Sequence, residues 1–236
     1  MTANTLFNRL DQLRTRIASA ALRYGRSPES VALVAIAKGQ PAQAVRELAN
    51  AGQRDFGENY LQEALPKLAE LADLADLALT WHFTGQLQAN KTRSVAEHFH
   101  WVHTVDRERI AIRLSEQRPA TAPALNVCIQ VRLADESGKG GVEPAAAADL
   151  AQRIVSLPRL RLRGLMCIPP HIESHAHQVA LFAQLAECRD RLNGDGLNLD
   201  TLSMGMSSDL DAAIEAGATM VRIGTALFGE RSVNAV

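Results

Sequence analysis

Lys38 is the first residue along this chain placed to do covalent chemistry. In "VALVAIAKGQP", residues 31 to 41, seven apolar residues run into Lys38, and Gly39, Gln40 and Pro41 then break the run. A lysine after a strand ordinarily points to solvent. An amine held at an apolar rim is partly desolvated, the condition under which it attacks a carbonyl carbon as a Schiff-base nucleophile. Near the far end, "SMGMSSD" at 203 to 209 sets Gly205, Met206, Ser207 and Ser208 before the helical pattern "DLDAAIEAGA". Free backbone N–H groups and hydroxyls there would face an anion, although a serine at this place can equally cap the helix. "VRIGTALFG" at 221 to 229 puts Gly224 and Thr225 at the end of the last apolar run, where a glycine can also simply turn the chain. Arg222 interrupts that run, and a buried guanidinium must find a partner, either a carboxylate inside the fold or an aromatic ring nitrogen.

These residues need a scaffold that brings both ends of the chain together. Leu6, Leu10, Leu13 and Ile17 recur at helical spacing in the first 25 residues, a helix that Tyr24 and Gly25 close. Strand-like runs then begin at Val31, Asp55, Thr80, Trp101, Leu125, Leu160, Leu199 and Thr219. Helical stretches separate almost all of them, with Pro41 and Pro144 at first turns and Gly52 as a stop. Such alternation implies right-handed crossovers and a parallel sheet, and eight repeats are the arithmetic of a closed (β/α)8 TIM barrel with one extra N-terminal helix. An open doubly-wound sheet is the structural rival, but no G-x-G-x-x-G follows the first strand. "SGKGG" at 137 to 141 lacks phosphate-loop spacing and is expected to be a flexible turn. In a barrel, active sites gather at the C-terminal strand ends, and the loops after strands seven and eight commonly hold phosphate. No linker divides the chain, so residues 1–236 are expected to form one domain.

Composition narrows the function classes. With 236 residues, 47% hydrophobic, 22% charged and a net charge of -1, the chain has no field for gripping nucleic acid or an anionic membrane. The N-terminus carries charges every few residues, unlike a signal or transit peptide, and no run approaches the ~18 apolar residues of a membrane span. A cytoplasmic protein is expected. Cys128, Cys167 and Cys188 are odd in number and form no C-x-x-C pair, which argues for packing roles in a reducing compartment, Cys167 being the one near a strand end.

A lysine for an aldehyde, a phosphate cradle and an arginine for a pyridine nitrogen are the three handles of pyridoxal 5'-phosphate. The chain resembles the pyridoxal phosphate homeostasis protein family, single-domain relatives of the alanine racemase barrel. The resemblance runs through "VALVAIAKGQP", "FGENYLQEA" (56 to 64), "WHFTGQLQANK" (81 to 91), "VHTVD" (102 to 106), "GLMCIP" (164 to 169) and "LSMGMSSDLDAAIEAGATMVRIGTALFG" (202 to 229). It implies a barrel of pyridoxal phosphate fold type III without the racemases' C-terminal β-domain. It further implies a Schiff base on Lys38, phosphate held by Ser207, Gly224 and Thr225 beside Met206, Arg222 facing the pyridine nitrogen, and Asn59 and His82 lining the pocket at strand ends. Gln40 stands where the family usually has a second lysine, and Thr84 where it prefers isoleucine.

The function so implied is binding, intracellular homeostasis and delivery of the cofactor to apoenzymes, by a protein expected to be monomeric and not an enzyme. A cationic arginine at the ring nitrogen disfavours its protonation and leaves a poor electron sink. A weak amino-acid racemase is the alternative. Tyr24 and Tyr60 are the only tyrosines available as a base, Tyr60 being the one near a strand end. From a different class, a metal-dependent hydrolase would use His171, His175 and His177 of "HIESHAH", read as a loop, although His98, His100 and His103 offer no clear complement. Glu58 and Asp106 are strand-end carboxylates that could pair with Lys38 or Arg222, and Lys91 could neutralise an incoming phosphate.

Overall fold

The computed structural model describes residues 3–134 and 140–229. Eight parallel strands close into a barrel in sequence order: β1 (Ala32–Ile36), β2 (Asp55–Glu58), β3 (Thr80–Phe83), β4 (Trp101–Val105), β5 (Leu125–Gln130), β6 (Leu160–Met166), β7 (Thr201–Ser203) and β8 (Met220–Ile223). The seam pairs β8 with β1, Val34 lying opposite Arg222. That register joins the first and last strands, so the two ends of the chain meet at one rim.

Around the barrel run α1 (Ala3–Arg23), α2 (Ala42–Asn50), α3 (Leu61–Glu70), α4 (Thr92–His98), α5 (Glu108–Gln117), α6 (Ala147–Val155), α7 (His175–Gly194), α8 (Leu210–Glu215) and α9 (Thr225–Phe228). The stripe Leu6, Leu10, Leu13 and Ile17 is buried, and α1 lies across α2, α8 and α9 outside the seam. Most of the apolar core lies between helices and strands. Inside the barrel Trp101, Cys128 and Met166 form a separate small cluster, packed by Ile168 and Met220.

Two boundaries differ from the sequence reading. The last apolar run stops at Ile223, and Thr225–Phe228 turns into α9 because the chain has reached the rim of the closed barrel. His175 and His177 belong to the first turn of α7 rather than to a loop, and His175 Nε2 pairs with Glu215 Oε2 at 2.7 Å. Among the described residues no group of three or more histidines, cysteines or acids is arranged to hold a metal. The turn expected at 137–141 falls partly outside the described residues. Among those residues, no helix is long and apolar enough to cross a membrane.

Candidate functional site

At the C-terminal rim a cavity of about 430 Å³ opens between the ends of β1, β2 and β8. Lys38 lines it from the turn two residues beyond β1. This turn is fixed from several sides. Ala37 N–H donates to Gly57 O (2.8 Å) and Gln40 N–H to Ala37 O (3.0 Å). Gly39, at a φ of +68° that a side chain would strain, donates to Glu63 Oε2 at 2.8 Å. Among the described residues nothing pairs with the Lys38 amine.

Beneath this turn, buried Lys67 donates to Ala37 O at 2.7 Å and to Glu58 Oε1 at 2.5 Å. Glu58 therefore serves α3 and the Lys38 turn. The expectation that it could pair with Lys38 or Arg222 is corrected, because its side chain points outward from the barrel to α3; its burial raises its pKa against the pull of Lys67. Asp106 pairs with Arg107 (2.7 Å) instead of either site cation.

Asn59 enters the cavity from the end of β2. The hydroxyl of Thr84 donates to Asn59 Oδ1 at 2.9 Å, which leaves the amide N–H₂ for the cavity. Opposite, the Met206–Ser208 loop and Gly224–Thr225 supply the polar wall. The start of α8 is not the open anion site that the sequence suggested. The carboxylate of Asp209 occupies that end, accepting Met206 N–H at 2.5 Å, and burial raises its pKa. The Ser207 hydroxyl instead accepts Ala226 N–H at 3.3 Å, joining the loop to the first turn of α9. An anion is thus offered hydroxyls from both segments beside the Arg222 charge.

Arg222 is buried and lines the cavity floor. It donates to Ser203 Oγ and to Cys167 O, each at 2.9 Å, and no carboxylate pairs with it among the described residues. Burial lowers its pKa, opposed by the nearby Asp209. A guanidinium held by neutral partners and facing a cavity fits a ring nitrogen that accepts a hydrogen bond. The cavity volume also falls in the range of small-molecule sites, roughly 300–1,000 Å³. Cys128 and Cys167 are buried with thiol pKa values pushed up to about 12, so neither is a thiolate at neutral pH.

All the expected site residues line this cavity except His82. His82 lies wholly inside the barrel, because the alternation of β3 turns it inward below the rim, between Asp55 and His103. Tyr60, 54% exposed, and Lys91 line a neighbouring cavity of about 440 Å³ instead. Sequence reasoning missed Ile36 and Ile168 in the cavity wall, and Lys67 beneath it. Lys67 left a signal: it shares the buried face of α3 with Leu61 and Ala64 at intervals of three.

With this geometry in place, residues 9–232 match the model of the alanine racemase N-terminal domain. The pyridoxal phosphate homeostasis protein of Pseudomonas aeruginosa is 56% identical, with 98% of each chain covered, and that of Escherichia coli K12 is 50% identical, with 97% of each covered. The chain belongs to the pyridoxal phosphate homeostasis protein family. Another similar structure is PipY of Synechococcus elongatus, solved with pyridoxal phosphate bound: 42% identity, TM-score 0.84, covering 95% of this chain and all of that one. Alanine racemase from Corynebacterium glutamicum, at 16% identity and TM-score 0.65, shares the barrel fold alone, and this chain covers 63% of it.

Proposed function

We propose that this protein binds pyridoxal 5'-phosphate at the β1/β8 rim and serves its homeostasis, releasing it to apoenzymes. The single observation that carries this reading is the convergence on one cavity of a lysine, a hydroxyl-lined loop pair and a buried arginine, the lysine unpaired and the arginine without a carboxylate partner among the described residues. Lys38 supplies the amine for the aldehyde as a Schiff base. Ser207, Gly224 and Thr225, with Ser208, take the phosphate, Arg222 takes the ring nitrogen, and Asn59 presents its amide to the ring substituents. When bound, the cofactor supplies an electrophilic aldehyde and a conjugated ring. The names of close relatives and the cofactor-bound PipY support the same assignment.

The residues around Lys38 support a holding role without turnover. Amino-acid racemisation needs a second acid or base opposite the lysine. Tyr60 faces the neighbouring cavity, and the carboxylates Glu58, Asp209 and Glu63 are engaged by Lys67, by the start of α8 and by the Gly39 N–H. The test is proton exchange: alanine incubated with cofactor-loaded protein in deuterated water keeps its α-proton. Sustained exchange that is lost in Lys38→Ala would make the protein a racemase instead.

A further inference from the structure

A continuous polar chain crosses the interior of the barrel. Arg222 Nη1 donates to Ser203 Oγ (2.9 Å), which meets His103 Nδ1 (2.7 Å); His103 Nε2 meets His82 Nδ1 (2.9 Å), and His82 Nε2 meets Asp55 Oδ1 (3.0 Å). Asp55 is the first residue of β2, and its side chain, 35% exposed, lines a cavity of about 450 Å³ beside Arg14 and Arg54 at the N-terminal mouth. Arg222 lines the cavity at the opposite mouth.

The chemistry of the two ends sets one direction along the chain. A guanidinium can only donate and an ionised carboxylate can only accept. Asp55 can only accept, so a neutral His82 carries its proton on Nε2, and its Nδ1 accepts from His103 Nε2–H. His103 Nδ1 is then an acceptor, and Ser203, which takes the Arg222 N–H on a lone pair, donates its proton to it. Every donor points from the cation toward the anion, and both imidazoles are neutral. Burial favours that state, since it lowers the pKa of both histidines. Trp101 holds the His82 ring in a stack, with centroids 5.5 Å apart and planes 13° from parallel.

We propose that Asp55, His82, His103 and Ser203 are positioning residues: through them a carboxylate at one mouth of the barrel sets the orientation and the hydrogen-bonding strength of Arg222 at the other. Aligned polar groups polarise one another in a low-dielectric interior, so the charge of Asp55 is felt at the guanidinium. The consequence for ligand retention rests on the reading that Arg222 meets the pyridine nitrogen. The relay itself does not.

Nuclear magnetic resonance on the ligand-free protein tests the relay first. Long-range ¹H–¹⁵N spectra at pH 7 are expected to show His82 and His103 as Nε2–H tautomers. A proton on Nδ1 of either ring overturns the chain. Asp55→Asn keeps an accepting oxygen and removes the charge; it is expected to shift the Arg222 Nε–H resonance and leave that of buried Arg118 in place. Made in Ser203→Ala, which cuts the chain beside Arg222, the same substitution is expected to leave Arg222 unmoved. An unmoved Arg222 in the first background, or an equal shift in both, overturns the proposal. Ring-¹⁵N pyridoxal phosphate then reads the other mouth: its nitrogen is expected to move upfield in Asp55→Asn, as a less compensated guanidinium donates more strongly. An unmoved ring nitrogen contradicts transmission to the ligand. Failure of the parent to retain the labelled cofactor contradicts the binding reading, whatever the tautomers show.

Discussion

Thr84 orients a pocket residue through one hydrogen bond. Its hydroxyl binds Asn59 Oδ1 at 2.9 Å, and without it the carboxamide rotates more freely and loses the bias of its N–H₂ toward the cavity. Thr84→Val keeps the shape and deletes the donor. A neutral hydrogen bond contributes about 1 kcal/mol, so the variant is expected to bind pyridoxal phosphate roughly 3- to 10-fold more weakly. Equilibrium titration checks this, with an unchanged thermal midpoint showing that the fold is intact. At this scale the sequence was most legible where a residue type conflicts with its surroundings. Lys38 after an apolar run and Arg222 inside one each declared a need for a partner, and both line the cavity. His82 misled because its position near a strand end did not reveal its depth: one step of strand alternation separates a rim residue from an interior one. Ile36 and Ile168 left no sign, since an isoleucine in an apolar strand looks the same whichever side it faces.

Elements were legible to within a few residues, and the misreadings lie at their ends. Only Gly224 separates β8 from α9, and closure of the barrel decides where the strand stops. His175 and His177 read as loop residues because polar residues open α7 before its apolar spacing begins. Close approach between neighbouring strand ends constrains the site in a way that spacing cannot show. At Gly85, just beyond β3, a Cβ would lie 2.0 Å from the backbone oxygen of Asn59. Gly85→Ala must therefore displace the β2 end that carries Asn59. The expected cost is about 1–3 kcal/mol of stability, as for other overpacking, together with loss of cofactor affinity. Urea unfolding and titration measure the two. Gly194, with nothing within 4 Å, provides the comparison: Gly194→Ala should leave both unchanged or slightly improved.

Across the whole molecule, eightfold alternation of strand and helix was sufficient to foresee the closed barrel, and closure is what brings Lys38 and Arg222 to one cavity. The polar chain through the interior was invisible beforehand, because Asp55, His82, His103 and Ser203 come from four separate strands, β2, β3, β4 and β7, and no local spacing joins them. It also makes stability depend on pH. Burial holds the His103 pKa well below 6.5 in the fold, so below about pH 6.5 the unfolded chain binds a proton that the native barrel excludes. The contribution is complete well above pH 6.5 and is lost progressively as the pH falls from that unfolded value toward the lower folded one. Between pH 7 and 5.5 the parent should lose roughly 1 kcal/mol more stability than His103→Gln, as read by urea unfolding at both pH values. An equal loss in the two proteins would mean that His103 takes up a proton in the fold as readily as in the unfolded chain.

The central claim is that Lys38 anchors pyridoxal phosphate at the rim where the two ends of the chain meet. The most direct measurement is peptide mass mapping after incubation with pyridoxal phosphate and borohydride reduction, in the parent and in Lys38→Ala. The predicted result is one reduced pyridoxyl adduct on the peptide carrying Lys38, absent from the variant. An adduct on Lys67 or Lys91, an adduct that survives in Lys38→Ala, or no adduct in the parent would contradict it.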